Sequence, residues 1–227
     1  HANGPCAPRR RTIPSTTRMK LALVPINPTI GDLAGNAAMI AAGIERARAA
    51  GADVAVFPEL ALSGYPPRDL LHQRGFVEAC TAEAKRLGET ATRGITAIFG
   101  TPLPVDRERP RGPIANSLLV YRDGVYADHY DKRLLPTYDV FDEDRYFVPG
   151  VSPRVVEVAG VRIGLSICED LWKGEDAGFA SHYADAPDPV AELIAAGADV
   201  IISPSASPFV MGKVQRHETI VRAHAAK

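Results

Sequence analysis

The chain has 227 residues, of which 46% are hydrophobic and 23% charged, so it can bury one sizeable core and is expected to form one globular domain. Its 26 lysines and arginines balance 27 aspartates and glutamates, and the net charge of -1 argues against nucleic acid or an anionic membrane as the partner. Cys6, Cys80 and Cys168 are too few and too scattered for a disulfide framework or a structural zinc site, which favours a reducing, cytoplasmic setting.

The first eighteen residues lack the pattern of a folded element. They are rich in proline, arginine and threonine, and they contain no apolar core of the kind that a signal peptide carries. We therefore expect residues 1–18 to be a disordered leader or an expression-derived extension, and residues 19–227 to form the folded domain. No apolar run approaches the length of about 18 residues that a membrane-spanning helix needs.

From Lys20 onward, short β-rich runs alternate with longer helical runs, which is typical of an α/β domain. The first half is predicted to contain a strand, a helix, a buried strand and a second helix, at 21–26, 36–51, 53–58 and 75–88. In mid-chain, paired strands replace helices at 95–102, 116–124 and 125–132, with Asp123-Gly124 as a hairpin turn. A hairpin at 151–168 then precedes a helix, a strand and a helix at 189–197, 199–205 and 216–227.

One stretch of sequence occurs twice in similar form. AAGADVAVFPE at 49–59 recurs as AAGADVIISPS at 195–205, and each copy predicts a helix end, a glycine turn, a buried strand and a proline. Because ligands of open α/β sheets bind outside the carboxyl ends of strands, we expect Glu59 and the segment 203–205 to face a common site. The alternative is that both copies are an ordinary helix-to-strand turn.

Three chemically useful side chains lie where predicted strands end. Glu59 follows an apolar run, Lys132 ends a mid-chain strand, and Cys168 lies where an apolar strand meets the acidic turn CEDLW. A carboxylate beside a thiol and an ammonium can accept the thiol proton, while the cation stabilises the thiolate and a tetrahedral oxyanion. Taken singly, the three have simpler interpretations, namely a solvated carboxylate, a solvated lysine beside Arg133 and an inert core cysteine.

The motifs FPELALSGYPP, HYDKRLLP and GLSICEDLW, in that order, resemble the carbon-nitrogen hydrolase, or nitrilase, superfamily. The resemblance runs from about Met19 to the last residue. It implies an α/β fold of the nitrilase-like αββα sandwich type, with a Glu-Lys-Cys triad at Glu59, Lys132 and Cys168. Within the superfamily, SGYPPRDLL, YDVFDEDRYFVPG, CEDLW and SPSASPF make the chain most similar to the glutaminase domains of glutamine-dependent NAD synthetases.

The same resemblance implies roles for further residues. Glu143 would be a second glutamate that orients Lys132. The substrate-binding residues would be Tyr65, Tyr138, Phe141, Glu169, Ser203 and Ser205. The aromatic side chains among them would line the pocket, and the serines would hold the amino-acid end of L-glutamine. The simpler alternative for these residues is packing or capping.

The resemblance also implies cofactors and partners. Glutamine hydrolysis would need no cofactor, whereas ATP and Mg would serve a synthetase domain that amidates nicotinic acid adenine dinucleotide to NAD. The chain has no Gly-Gly pair and therefore lacks the SGGxDS phosphate-binding loop of such a domain. It ends inside a predicted helix, before the last strands of the superfamily's sandwich, so it is expected to be truncated. Homo-oligomers built on a dimer are also expected.

Other interpretations remain open at this point. The chain could be a stand-alone amidase or carbamoyl hydrolase of the same superfamily, although YPPRDLL and CEDLW argue against this, or a noncatalytic interaction or regulatory domain. Cys168 could instead pair with His129 or His182, but no sequence context links either histidine to it. His217 and His224 would share a helix face, yet they have no nearby cysteine or acidic ligand, so no metal is expected.

Overall fold

A computed structural model of the chain describes residues 18–106, 112–173 and 183–227. Residues 1–17 of the predicted leader lie outside these ranges. The helices within them are α1 (Leu33–Ala49), α2 (Phe76–Ala91), α3 (Pro189–Ala195) and α4 (Lys213–Ala225). The strands are β1 (Leu21–Leu23), β2 (Val54–Val56), β3 (Thr96–Pro104), β4 (Ile114–Arg122), β5 (Val125–Asp131), β6 (Arg154–Val158), β7 (Val161–Leu165) and β8 (Val200–Ile202). Among these helices, none is both long and apolar enough to cross a membrane.

The strands form two sheets. The first has the order β1-β2-β3-β4-β5, in which β1, β2 and β3 are parallel and β3, β4 and β5 are antiparallel. The second has the order β6-β7-β8, with an antiparallel hairpin followed by a parallel pair. The predicted change from helix-linked parallel strands to paired antiparallel strands in mid-chain is confirmed.

The layers follow from which faces of the sheets are apolar. Helices α1 and α2 cover the outer face of the first sheet, and the core between them includes Ile44 and Phe99. The inner faces of the two sheets pack on each other through residues such as Leu118 and Ile163. Helix α3 lies on the outer face of the second sheet, where Leu193 is next to Gly164 of β7. The result is the predicted αββα sandwich.

The start of α1 and the end of α2 differ from the predicted positions. The Asp32 side chain caps α1 by accepting the Gly35 N–H at 2.9 Å, so the helix begins three residues before the predicted start. The predicted end of α2 at Gly88 is wrong, because the helix continues to Ala91. Gly88 instead allows close packing, since a Cβ there would lie 2.3 Å from the Tyr121 ring.

The two copies of the repeated sequence form the same unit. Gly51 follows α1 with a φ of +71° and Gly197 follows α3 with a φ of +77°, and each precedes a short parallel strand. Both strands are shorter than predicted and end two residues before a proline, which cannot donate a ladder hydrogen bond. The segments that follow β2 and β8 therefore leave the regular strand ladder, although Phe57 and Leu62 still donate to carbonyls of β3.

Candidate active site

The candidate site lies where β2, β5 and β7 end. Glu59 is in the loop after β2, Lys132 directly follows β5, and Cys168 begins a 3-10 turn, Cys168–Leu171, after β7. All three side chains are buried, with relative exposures of 1%, 1% and 5%. The structure thus brings together, from both sheets, the three residues that the sequence singles out.

Lys132 lies between two carboxylates. Its Nζ donates to Glu59 Oε1 at 2.8 Å and to both carboxylate oxygens of Glu143 at 2.8 and 2.9 Å. Burial alone would lower the pKa of Lys132, but the charges of Glu59 and Glu143 outweigh it and raise that pKa well above its ordinary value. Tyr65 donates to Glu143 Oε1 at 2.9 Å and so completes the far side of the cluster. Lys132 is therefore a permanent buried cation.

Glu59 is held by contacts from several elements. Besides Lys132, the Asn116 side-chain amide donates to its Oε1 at 2.8 Å, and the Ala206 N–H donates to its Oε2 at 3.0 Å. The Ala206 contact joins the segments that follow β2 and β8, directly after the residues 203–205 that the repeated sequence places near Glu59. Gly100 of β3 makes room for the Glu59 backbone, because a Cβ there would lie 2.2 Å from the Leu60 nitrogen.

Cys168 has a constrained backbone and a protonated thiol. Its φ of +42° is rare for a residue with a side chain, and its N–H donates to the Pro204 carbonyl at 3.0 Å. The thiol sulfur lies 3.5 Å from the Ser207 hydroxyl. Burial, followed by the charge of Glu59, raises the pKa of Cys168 to about 12 despite the opposing effect of Lys132. A nearby base must therefore remove the thiol proton before the sulfur can attack.

Asp170 connects the two strand ends that carry Lys132 and Cys168. It is fully buried. Its carboxylate accepts hydrogen bonds of 2.8 to 3.0 Å from the N–H groups of Ile167, Arg133 and Leu134 and from the Tyr130 hydroxyl. Because these donors flank both Lys132 and Cys168, Asp170 sets the spacing between the cation and the thiol.

A second carboxylate, Glu169, lies next to the nucleophile candidate and is surrounded by phenols. It accepts from Tyr138 at 2.9 Å and from Tyr183 at 2.8 Å. Burial raises the pKa of Glu169, although the two phenols act in the opposite sense. The Phe141 ring lies 5.5 Å from the Tyr138 ring and 6.5 Å from the Tyr65 ring. The predicted aromatic residues thus form one cluster, in which Tyr138 contacts Glu169 and Tyr65 contacts Glu143. Their binding role stays a prediction.

The predicted serines take different positions. Ser205 is exposed, and its hydroxyl donates to the Ser203 carbonyl at 3.2 Å. The Ser203 hydroxyl is buried and has no hydrogen-bond partner in the described part of the chain. Ser207, which was not predicted, is the serine whose hydroxyl contacts Cys168. A substrate-binding role for Ser203 and Ser205 stays a prediction.

Sequence reasoning missed four residues that shape the site: Asn116, Asp170, Tyr183 and Ser207. Asp170 and Ser207 lie inside the motifs CEDLW and SPSASPF, so their positions were available but their contacts were not. Asn116 carried one usable signal, since a polar residue in a mostly apolar strand needs a partner. Tyr183 carried no signal of its own.

The alternative of a dyad between Cys168 and His129 is wrong. Adjacent residues of a strand point to opposite faces, and Tyr130 points into the core that also contains Cys168. His129 therefore points away from Cys168, and its Nδ1 lies 2.7 Å from the Tyr126 hydroxyl. His182 lies outside the described residues.

His217 and His224 both contact the turn that follows Cys168. His224 Nε2 lies 2.8 Å from the Leu171 carbonyl oxygen, and the His217 ring meets the Trp172 ring edge-on at 5.0 Å. Both contacts attach α4 to the Cys168 turn. Within the ranges that the structure covers, no three His, Cys, Asp or Glu side chains are grouped so that they could hold a metal ion.

Similar proteins were found by sequence and by structure. Residues 20–227 match the family model for carbon-nitrogen hydrolases. A glutamine-dependent NAD(+) synthetase from Synechocystis sp. is 39% identical over 209 residues, which are 91% of this chain and 37% of the relative. A glutamine-dependent NAD(+) synthetase from Xylella fastidiosa is also 39% identical, over 91% of this chain and 35% of the relative. The chain thus spans little more than a third of the length of these relatives.

Solved structures of similar proteins have the same fold. The glutamine-dependent NAD+ synthetase from Acinetobacter baumannii superposes with a TM-score of 0.79 at 29% identity, over 91% of this chain and 36% of that protein. An amidase from Nesterenkonia sp. has a TM-score of 0.73 at 24% identity, over 92% of this chain and 72% of the amidase, and it supports the fold alone. With its sandwich fold and a family match over nearly all of its length, the chain belongs to the carbon-nitrogen hydrolase family.

Proposed function

We propose that this domain hydrolyses the side-chain amide of glutamine to glutamate and ammonia, with Cys168 as the nucleophile. The observation that carries the proposal is the buried cluster in which Lys132 joins Glu59 and Glu143 beside the Cys168 thiol. A protonated thiol, a carboxylate and a fixed cation are the groups that covalent amide hydrolysis requires. The similarity to glutamine-dependent NAD synthetases supports glutamine as the amide.

In the first half-reaction, Glu59 accepts the Cys168 proton while the sulfur attacks the amide carbon. The carbonyl oxygen becomes an oxyanion, which the positive charge of Lys132 and a hydrogen bond from the backbone N–H of Glu169 stabilise. When the tetrahedral intermediate collapses, Glu59 returns the proton to the amide nitrogen, and ammonia leaves. The product of this half-reaction is a glutamyl thioester on Cys168.

In the second half-reaction, Glu59 accepts a proton from water as the water oxygen attacks the thioester carbonyl. Collapse of this second intermediate breaks the carbon-sulfur bond, and the proton on Glu59 returns to the sulfur. Glutamate leaves, and the thiol is restored. All of these proton transfers use one carboxylate, so no cofactor is required.

Glu169 gives the site a preference for an amino acid over a simple amide. A buried carboxylate can bind the α-ammonium of glutamine, and Tyr138 and Tyr183 hold that carboxylate in one orientation. The aromatic side chains of Tyr65 and Phe141 provide the apolar wall against which the methylene groups of glutamine would pack.

In the whole protein, ammonia from this site would pass to a synthetase domain that uses ATP and Mg to amidate nicotinic acid adenine dinucleotide. The basis is that the matched relatives are glutamine-dependent NAD synthetases of which this chain spans 37% and 35%. Assembly into homo-oligomers belongs to the same proposal.

The first prediction tests the nucleophile. Ammonia release from glutamine is measured for this chain and for a longer chain that includes the remainder of the protein, each with and without Cys168→Ala. We expect turnover in at least the longer chain, and a fall of about a thousandfold or more in Cys168→Ala with glutamine binding kept. Cys80→Ala is the matched control, because Cys80 is a buried thiol of α2 outside the cluster.

The amide is tested in the same assay. Glutamine is compared with asparagine, propionamide and a carbamoyl compound. Hydrolysis of the simple amides without hydrolysis of glutamine would favour a stand-alone amidase or carbamoyl hydrolase. Unchanged turnover in Cys168→Ala would exclude covalent catalysis by this residue, and silence of both chain lengths toward every amide would favour a noncatalytic domain.

A further inference from the structure

We propose that Asn116 is a positioning residue that orients the Glu59 carboxylate so that its Oε2, and not its Oε1, accepts the Cys168 proton. The inference deepens the proposed function and rests on it, because it assumes that Glu59 is the base. Asn116 is 1% exposed and touches the reaction only through Glu59.

Strand geometry places Asn116 beside Lys132 on the face of the sheet that points into the site. Leu118 and Val120 of β4 face the core between the sheets, and Asn116 shares their face because side chains alternate along a strand. Lys132 shares a face with Tyr130 for the same reason. The Lys132 N–H donates to the Asn116 carbonyl at 2.8 Å, so the two residues are cross-strand neighbours.

The hydrogen bonds to Glu59 are divided unequally between its two oxygens. Oε1 accepts from Lys132 Nζ and from Asn116 Nδ2, both at 2.8 Å. Oε2 accepts from the Ala206 N–H at 3.0 Å. A carboxylate oxygen offers about two acceptor sites. Oε1 is therefore saturated, whereas Oε2 keeps one site for a proton.

The orientation of the Asn116 amide follows from the same contact. If the amide were reversed, Oδ1 would face Glu59 Oε1, and two oxygen atoms would repel each other. In the observed orientation Asn116 Oδ1 is buried without a partner among the described residues. An unpaired buried amide oxygen is unfavourable. The observed orientation leaves this oxygen unpaired but keeps the Asn116 NH2 group as a donor to Glu59.

Lys132 could not hold Glu59 in this way by itself. Two of the three hydrogen bonds that its side-chain Nζ donates go to Glu143, and the third goes to Glu59. Without a second donor on the same oxygen, the Glu59 carboxylate could rotate away from the orientation in which its other oxygen accepts the proton. The Asn116 amide is on a short side chain of β4, a strand that is paired on both sides, whereas the Lys132 ammonium is at the end of a long flexible side chain. Asn116 therefore supplies a second, directional donor to Oε1.

Asn116→Ala tests the inference. We expect kcat for glutamine to fall by about 10- to 100-fold with KM nearly unchanged, because a hydrogen bond to a charged group is lost. The low-pH limb of kcat/KM should move to higher pH, since removing a donor favours the protonated carboxyl. The titratable groups that face Glu59 stay the same in the variant: Tyr65, Lys132, Glu143, Cys168 and Glu169.

A second readout needs no substrate. Iodoacetamide alkylation of Cys168 is followed from pH 4 to 9 by peptide mass spectrometry, and its low-pH limb reports the protonation of Glu59. The limb should be absent in Glu59→Gln, shifted to higher pH in Asn116→Ala and shifted further in Asn116→Asp, which places a second negative charge beside Glu59. Asn116→Asp is close in shape to the parent and serves if the alanine variant does not fold.

Ser117→Ala is the matched control. Ser117 is the next residue of β4, is fully buried and donates to Asp131 at 2.5 Å on the opposite face of the strand. Ser117→Ala should lower the stability of the protein without moving the low-pH limb of kcat/KM or that of Cys168 alkylation. The inference is wrong if the Asn116 variants keep the parent limb in the alkylation experiment, whatever the amide substrate proves to be. A shifted alkylation limb without glutamine turnover would instead keep the inference and remove glutamine as the substrate.

Discussion

At the scale of single residues, the site depends on one lysine that compensates two buried carboxylates. Lys132, Glu59 and Glu143 are each at most 5% exposed and are joined by hydrogen bonds of 2.8 to 2.9 Å. Burial raises the pKa of Glu143 to about 7, even though Lys132 attracts the ionised form. Two carboxylates and one ammonium leave an excess negative charge, so part of the cluster takes up a proton easily.

Lys132→Met is predicted to destabilise the protein by about 3 to 5 kcal/mol at pH 8, because it leaves buried carboxylates unpaired. A carboxyl whose pKa is raised by folding stabilises the folded state fully below its unfolded pKa, and this stability is lost as pH rises through the folded pKa. The loss in the variant should therefore shrink as pH falls from 8 to 5. Urea unfolding of both proteins at the two pH values measures it.

Lys85→Met is the matched control for this prediction. Lys85 is a lysine of α2 with 70% of its side chain exposed, and its pairing with Glu89 at 3.8 Å is a surface contact. It should change stability little at either pH. An equal loss for Lys132→Met at pH 5 and pH 8 would contradict the electrostatic explanation and indicate lost packing.

At the scale of elements, the site is assembled by short connections between strand ends rather than by the strands themselves. The 3-10 turn Cys168–Leu171 leaves β7, and the segment from Lys132 to Leu134 leaves β5. Asp170 lies in this turn and accepts the N–H groups of Arg133 and Leu134 from the other segment. It also accepts the N–H of Ile167, the residue before the turn. Strands β5 and β7 belong to different sheets and share no backbone hydrogen bonds. The Asp170 carboxylate links their ends instead.

Asp170→Asn is predicted to lower the free energy of unfolding by about 1 to 3 kcal/mol. The NH2 group of asparagine replaces the carboxylate oxygen that accepts the Ile167 N–H, and a donor cannot accept that hydrogen bond. Turnover should fall as well, since Cys168 and Lys132 lose their common anchor. Tyr130→Phe is the control, because it removes one hydrogen bond and keeps the carboxylate with its three N–H donors. If both variants lose the same stability and activity, Asp170 does not act as the anchor.

At the scale of the whole molecule, the catalytic candidates come from two different sheets. Glu59 and Lys132 follow strands of the first sheet, whereas Cys168 follows a strand of the second. The separation between them therefore depends on how the inner faces of the sheets pack. The core between the first sheet and the helices α1 and α2 contains none of these three side chains.

Two isoleucine-to-alanine substitutions separate these roles. Ile163 lies in the core between the sheets, and Ile44 lies in the core beneath α1, and both are fully buried. Each substitution should cost about 2 to 5 kcal/mol of stability, as measured by urea unfolding. Only Ile163→Ala should also lower kcat in the folded protein, because only that core spaces Cys168 from Lys132. Equal kcat values for the two variants would show that the inter-sheet core does not control the site.

Much of the site could be predicted from the sequence because its main residues lie next to strong local patterns. Glu59 and Cys168 follow apolar strands, Lys132 follows a strand of mixed composition, and Glu143 lies in a motif shared with a known family. Element boundaries were less accurate, since a glycine that ends one helix can pack against a ring in another, as Gly88 does against Tyr121. The sequence pattern alone does not distinguish these two uses of glycine.

By itself, the sequence determined the α/β class, the order of helices and strands and the residue types available for amide hydrolysis, because these depend on periodicity and on short motifs. Only the tertiary structure decided that His129 points away from Cys168, that Asp170 joins two strand ends and that Asn116 and Lys132 share one oxygen of Glu59. These facts depend on contacts between residues far apart in the chain. Such contacts are set by how two sheets pack, and no local pattern records that packing.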